Sequence, residues 1–338
     1  MSEVKEIKRS ENKIQIVGEM SELNLKDEVK DTTIRKNGKE VKVKCGVIEK
    51  ADYKSGASMT IKVEPKDEGG NVRYSETVGI NFYPIKEKKL DENGNVVDNS
   101  FYKSMQTIMN YDKGTRVRVD GSLVANEYAS SKDGKNYDYH SIPQVNAFIV
   151  SSTAVPENDM AEGYITGVIR QIVPETRGEE ATETGRLKVE LFYFDNKGAT
   201  TPNTFIVTKE FAEPFTDLYE NGQSVQLNYE IVSHQTNGGA KKSKAAFGRE
   251  SNVTSGYTVT EYQIVGGDAP FEEENEHYVS MQQMKDAMTA RQNLIDTTID
   301  NKKKEDAENA GGKTAKKGLG RPSNVSKSAT DDQEELPF

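Results

Sequence analysis

Apolar and polar residues alternate through most of the first half of the chain. Lys13-Ile14-Gln15-Ile16-Val17-Gly18 opens the pattern, and Val41-Lys42-Val43-Lys44-Cys45-Gly46-Val47 carries a period of two. That period marks a strand with one face buried. Ser58 to Val63 and Thr77 to Tyr83 predict further strands, separated by turn signals at Asn37-Gly38, Gly69-Gly70-Asn71 and Asn93-Gly94. The spacing then changes. Apolar residues at Phe101, Met105, Ile108 and Met109 predict a short helix. Arg116-Val117-Arg118-Val119 with Leu123-Val124, a hairpin tip at Asp133-Gly134 and Ala147-Phe148-Ile149-Val150 complete the first zone.

From about Glu162 to Gly267 the same order returns. Strands are predicted at Tyr164 to Ile169, Leu187 to Phe194 and Thr204 to Thr208. A helix follows at Glu210 to Tyr219, broken near its start by Pro214. Ser224 to Tyr229, a long polar hairpin and Tyr257 to Val265 end the zone. Met109 to Val119 runs parallel to Asp217 to Leu227, so the repeat is clearest where helix meets fourth strand. Three strands, a helix and two strands, twice over, is the order of the five-stranded Greek-key barrel called the OB fold. Another small barrel or a sandwich is the competing architecture. The expected class is therefore mainly β, with two tandem OB barrels, then an amphipathic helix and a disordered C-terminal tail.

The expected domains are a first barrel over 1–155 and a second over 160–268. A helical segment over 277–300 rests on the stripe Tyr278, Met281, Met284, Met288 and Leu294-Ile295. A disordered basic linker is expected over 301–330 and an acidic tip over 331–338.

Composition changes this picture by segment. The 338 residues carry a net charge of -10, which taken alone argues against nucleic acid. Acid, however, gathers at Glu272, Glu273, Glu274 and Glu276 and again in the last eight residues, leaving the barrels their own cations. Cys45 is the only cysteine, and His140, His234 and His277 stand far apart, so no zinc-finger spacing exists. No phosphate-binding loop, nucleophile elbow or zinc-protease motif occurs, and a non-enzyme without cofactor or resident metal is expected. A carboxylate-only metal site is the one metal chemistry left open to the sequence. Met1 to Arg9 lacks the apolar core of a secretory signal, and no run approaches the ~18 apolar residues of a membrane span. A soluble cytoplasmic protein without membrane partners is expected.

A barrel of this kind binds single strands through a cationic groove and aromatic faces on which bases stack. In the first zone the candidates are Lys42, Lys44, Tyr53, Lys54, Lys62, Arg73, Tyr74, Phe82, Tyr83, Arg116 and Arg118, with Tyr128, Lys132, Lys135, Tyr137 and Tyr139 around the hairpin tip. In the second, Leu187, Val189 and Leu191 share one strand face, while Phe192 and Phe194 fall on the other beside Lys188. One of these sets leaves the core, or both are buried. The second hairpin adds Lys241, Lys242, Lys244, Phe247 and Arg249. For any single aromatic, core packing is the competing role. Lys317-Gly318-Leu319-Gly320-Arg321-Pro322 weakly resembles an AT-hook, against the plainer reading of a basic tether.

Gly114 to Leu123, Glu127-Tyr128, Lys132-Asp133-Gly134-Lys135 and Tyr137 closely resemble the fourth-strand hairpin of bacterial single-stranded DNA-binding proteins. Ala147-Phe148-Ile149-Val150 resembles their closing strand. Asp331-Asp332-Gln333-Glu334-Glu335-Leu336-Pro337-Phe338 resembles their acidic tip. The usual member has one barrel and assembles as a tetramer. A second barrel and an insertion at about Lys86 to Ser100 instead resemble the larger versions from phages of Gram-positive bacteria, which would place the chain in host cytoplasm. The resemblance implies a protein that coats and protects single-stranded DNA during replication, recombination and repair. It implies recruitment of helicase, primase, polymerase, recombinase or mediator through Asp331, Asp332, Glu334, Glu335, Leu336, Pro337 and Phe338. Self-association, and a tip that rests on the barrels as a weak competitor of DNA, are further expectations. Two alternatives stand beside this: a strand-annealing recombination accessory, and a non-enzymatic virion structural or assembly protein.

Overall fold

A computed structural model describes residues 7–52, 56–177, 181–194, 200–236, 241–243, 251–253 and 257–312. The chain is mainly β. It runs β1 (Asn12–Leu23), β2 (Leu25–Lys36), β3 (Lys39–Lys50), β4 (Met59–Val63), β5 (Glu76–Asn81), β6 (Ile85–Lys86), β7 (Lys88–Leu90), β8 (Val96–Asp98), α1 (Ser100–Ile108), β9 (Arg116–Ser130) and β10 (Asp138–Ser151). The second part holds β11 (Met160–Arg177), β12 (Thr182–Phe194), β13 (Thr200–Val207), α2 (Lys209–Leu218), β14 (Ser224–Thr236), β15 (Lys241–Ser243), β16 (Ser251–Val253), β17 (Tyr257–Gly267) and α3 (Met281–Gly312).

β1 pairs with β4, β4 with β5, β5 in parallel with β10, β10 with β9, and β9 back with β1. This closes a five-stranded barrel. Its core takes every second residue: Ile61 and Val63, Val78 and Ile80, Val117 and Val119. Asn99 caps α1 by accepting from the Phe101 amide at 3.2 Å, and the helix buries Tyr102, Met105 and Ile108 against the core. In the second part β11 pairs with β12, β12 with β13, β13 in parallel with β17, β17 with β14, and β14 with β11. The order of the first circuit is repeated, with α2 in the place of α1.

The strand Val41–Val47 is not a barrel strand. β2 and β3 form a long hairpin in a separate sheet with β6, inserted between β1 and β4. Asn37 (φ 50°) and Gly38 (φ 77°) make its turn, both in the left-handed region that suits a two-residue hairpin loop. The base of this arm is fastened to the barrel. Ile48 reaches the core, the Tyr102 hydroxyl donates to Asp27 at 2.6 Å, and a Cβ on Gly46 would lie 2.0 Å from the Tyr102 hydroxyl oxygen.

One strand joins the two circuits. The first half of β1 pairs with β9 on one side and with β11 on the other, over Asn12–Val17 against Met160–Ile165. Ile14, Ile16 and Val17 are therefore buried, and the sheet has ten strands. Arg73 adds a bidentate ion pair to Glu230 across the junction, at 3.2 and 3.3 Å. Glu76 accepts from the Ser233 amide at 2.5 Å.

α3 crosses both circuits. Val279 ahead of it, with Met284 and Ala287, packs on Val168, Phe192 and Phe194 of the second. Arg291, 5% exposed, then reaches Glu127 and the Tyr139 hydroxyl of the first. The helix continues to Gly312, twelve residues past Asp300, where sequence reading starts the tether. Charge spacing accounts for the extension: Lys302 meets Glu305 and Asp306 one turn on, and Lys303 meets Asp300. Tyr137 donates to Asp306 at 3.2 Å and so ties this half to the barrel. No described helix is long and apolar enough to cross a membrane.

Candidate nucleic-acid interface

A groove of about 580 Å³ lies between the β2–β3 arm and the β5–β10 edge of the first barrel. Five cations line it, Arg35, Lys36, Lys86, Lys88 and Lys89, and no carboxylate does. Sequence and topology explain the concentration. The arm brings Arg35 and Lys36 back over β6 and β7, which carry the three lysines. Lys86 donates to the Thr33 carbonyl at 2.5 Å, Lys88 pairs with Asp98 at 2.6 Å and Arg35 with Glu40 at 2.7 Å. Lys36 and Lys89 are exposed.

Two exposed aromatics stand in this groove, Tyr83 at 72% and Phe148 at 50%. Tyr83 follows the end of β5, where Pro84 stops the ladder. Phe148 is turned out by a bulge. Ala147 pairs with Gly121 and Ile149 with Asp120, which leaves Phe148 as the extra residue. Gly121 permits the close approach, since a Cβ there would lie 2.4 Å from the Asn146 carbonyl oxygen. Both aromatics also border a second cleft on the other side.

The other predicted residues scatter. Lys42 and Lys44 are exposed on the arm, in a separate shallow depression that also holds Asp31. Lys62 pairs with Glu64 at 2.8 Å. Arg73 holds Glu230 and lies 5.6 Å over the Tyr74 ring, and burial pushes the half-buried Tyr74 hydroxyl upward. Phe82 is half-buried against the core and lines the groove. Arg116 grips the segment between the circuits through Asp159, at 2.5 Å, and the carbonyls of Pro156 and Glu157. Arg118 bonds Asp120 at 3.1 Å.

The β9–β10 hairpin has two faces with different fates. Tyr128, 41% exposed, stacks on His140 at 4.8 Å on the outer face. Lys135 is exposed at the tip. Tyr137 and Tyr139 face α3. Arg291 sits 5.5 Å over the Tyr139 ring, and burial pushes that hydroxyl up to about 12. In the second circuit Lys188 is half-buried. Phe192 and Phe194, expected on an outward face, are 4% and 2% exposed because α3 closes over them. Leu191 and Tyr193 fill the barrel on the opposite face, so both faces of β12 are buried. Lys241 and Lys242 lie on β15. Tyr53, Lys54, Lys244, Phe247, Arg249 and the segment 331–338 lie outside the described residues.

The groove thus keeps Phe82 and Tyr83 of the candidates and adds Phe148, Arg35, Lys36, Lys86, Lys88 and Lys89. Only the run Lys86 to Lys89 next to Tyr83 was a visible signal for it. Among the described residues, no group of three His, Cys, Asp or Glu side chains is placed to hold a metal ion.

The groove is open, cationic and aromatic, and it lies on the edge of a closed β-barrel. Residues 10–302 match the family described as YorF, and the chain belongs to that family. No curated protein sequence matches it. Among solved structures, a deletion variant of the single-stranded DNA binding protein from Thermus aquaticus is 13% identical, with a TM-score of 0.42, covering 79% of this chain and 98% of its own. The wild-type form is also 13% identical, with a TM-score of 0.41, covering 79% and 97%.

Proposed function

We propose that this chain binds single-stranded DNA without enzymatic chemistry, using two tandem OB barrels. One observation carries the reading: an acid-free groove with five cations, bordered by two aromatics that are half or more exposed. Exposed aromatic rings cost free energy in water, and bases stack on them whatever their identity. Phosphates of the same strand meet the cations. A double-stranded helix offers these rings no free base face, so single strands are the better fit.

A fluorescence titration with oligo(dT) at two salt concentrations tests this. Affinity falls with salt at a log-log slope of about -0.7 for each phosphate neutralised. Tyr83→Ala weakens binding by about 1–3 kcal/mol, the worth of one stacked base. A flat salt response together with unchanged Tyr83→Ala affinity would sink the reading.

The cellular role proposed is coating of single strands during replication, recombination and repair in the cytoplasm, with the acidic segment 331–338 recruiting partner enzymes. That segment pairs a negative run with Leu336, Pro337 and Phe338. Such a run steers toward a basic rim, and the apolar end fills a pocket. Deleting Leu336 to Phe338 should abolish pull-down of replication or recombination enzymes while oligo(dT) affinity holds or rises. Pull-down that survives the deletion would remove the recruitment role alone.

A further inference from the structure

Behind Tyr83 and Phe148 lies a second cleft, of about 470 Å³, between β9 and β10 of the first circuit and the end of β12 in the second. It falls within the usual range of small-molecule sites, about 300–1,000 Å³. Its charge differs from that of the groove. Arg9 is its one cation and Glu127 its one carboxylate, and Glu127 is already held by Arg291. The rest is aromatic, apolar or neutral polar. Such a lining suits a base rather than a phosphate.

Asn146 lines this cleft and is only 6% exposed. Gln144 donates to its Oδ1 at 3.1 Å, which sets the orientation of the amide. The Asn146 Nδ2 group is left buried with no partner. A buried donor without an acceptor costs about 1–3 kcal/mol, so it calls for an explanation. An acceptor supplied by a ligand is the economical one. Tyr83 and Phe148 line both the groove and this cleft, so a strand stacked on them lies at the border of the two.

We propose that the cleft takes one nucleobase from the strand bound in the groove, and that Asn146 reads a keto oxygen on that base. The inference rests on the single-strand reading above. Thymine and guanine offer a keto oxygen where adenine offers an amino group. The protein would then be a general binder with a preference at one position. Gln144 is a positioning residue: it keeps Nδ2, not Oδ1, as the free group.

The test compares affinities for oligo(dT) and oligo(dA) in the full chain and two variants, Asn146→Ala and Asn146→Asp. Asp keeps the shape and removes the donor, so it covers the case in which Ala unfolds the site; thermal melts show which variants fold. Self-stacking of oligo(dA) is the same in every arm and cancels in the ratio of ratios. The expected result is a fall of about fivefold in the dT-to-dA ratio for both variants, the worth of one hydrogen bond. Gln144→Ala should lower the ratio less. A Lys36→Ala/Lys89→Ala variant should weaken both probes alike. An unchanged ratio in a folded Asn146→Asp protein overturns the base-reading cleft and leaves the groove standing. Absence of binding to either probe overturns the single-strand reading and this inference with it.

Discussion

The two circuits share a strand order and differ in what covers them. Their closing strands even share a defect. β10 bulges between Ala147 and Ile149, and β17 shifts register between Gly266 and Ile264 against Asn228 and Tyr229. The first bulge expels Phe148, 50% exposed, and the second expels Val265, 41% exposed. One backbone device presents a stacking ring in one circuit and a small aliphatic group in the other. In the second circuit Phe192 and Phe194 lie under α3 instead, and the exposed Phe211, at 44%, sits on α2. The first circuit also carries the arm and β6 to β8, which supply the groove's cations; in the second, β13 leads directly into α2. A shared strand order therefore does not make a shared surface. Insertions and a covering helix decide which circuit presents an open cationic groove.

The contrast can be broken most forcefully at the helix. Phe192→Ala removes a buried ring and should cost about 3–5 kcal/mol of stability. Calorimetry should show a lowered melting temperature, while oligo(dT) affinity of the folded protein holds at temperatures well below the melt. A loss of affinity without a loss of stability would show that Phe192 meets DNA after all.

The junction comes next. Burial pushes the Glu76 carboxyl up to about 7, and Glu230 nearby adds to the effect. The pKa is raised in the folded state above the ordinary 4.5. The stabilising contribution is thus complete below about pH 4.5 and is lost as pH rises through about 7. The loss should be on the order of 3 kcal/mol. Glu76→Gln should flatten the pH dependence of the melting temperature between about pH 5 and 8. A wild-type profile that rises over that interval would contradict the assignment.

Smaller effects sharpen the comparison of the two bulges. Phe148→Val gives the first circuit the side-chain class of the second and should lower oligo(dT) affinity by about 1–2 kcal/mol. Val265→Phe, the reverse exchange, should raise affinity by less, because no acid-free groove adjoins it. Lys42→Ala/Lys44→Ala should change affinity least, since their depression contains Asp31 and no aromatic. An equal loss for this pair and for Lys36→Ala/Lys89→Ala would move the strand's path along the arm.

Much of the fold was legible because strand periodicity reports burial locally. β1, β4, β5, β9 and β10 all fall on stretches with visible alternation or turn signals, and the repeat at Met109–Val119 and Asp217–Leu227 lands on the step from helix to fourth strand in each circuit. What periodicity cannot report is partnership. Val41–Val47 alternates as a barrel strand does, yet its partners are β2 and β6. The site was less legible for the same reason. Phe192 looks outward on its own strand, and only the tertiary placement of α3 buries it; Tyr137, just ahead of β10, is half-buried and bonds the same helix. Phe148 sits in an apolar run that reads as core, and its exposure depends on a bulge that no single residue signals. Tyr83 and the lysines that follow it were visible as types, but their meeting with Arg35 and Lys36 depends on the arm folding back.

β1 is made early in synthesis, and its pairing is finished late. Its first half needs β9 and also β11, whose residues 160–165 emerge only after the whole first barrel has left the ribosome. Until then Asn12–Val17 presents an unpaired edge with Ile14, Ile16 and Val17 on it. Unpaired edges of this kind invite pairing with other chains. The first barrel thus has a period of exposure during translation, and its length depends on the speed of the ribosome through the segment that follows. Slow codons between β10 and β11 would prolong the interval in which nascent chains can join edge to edge.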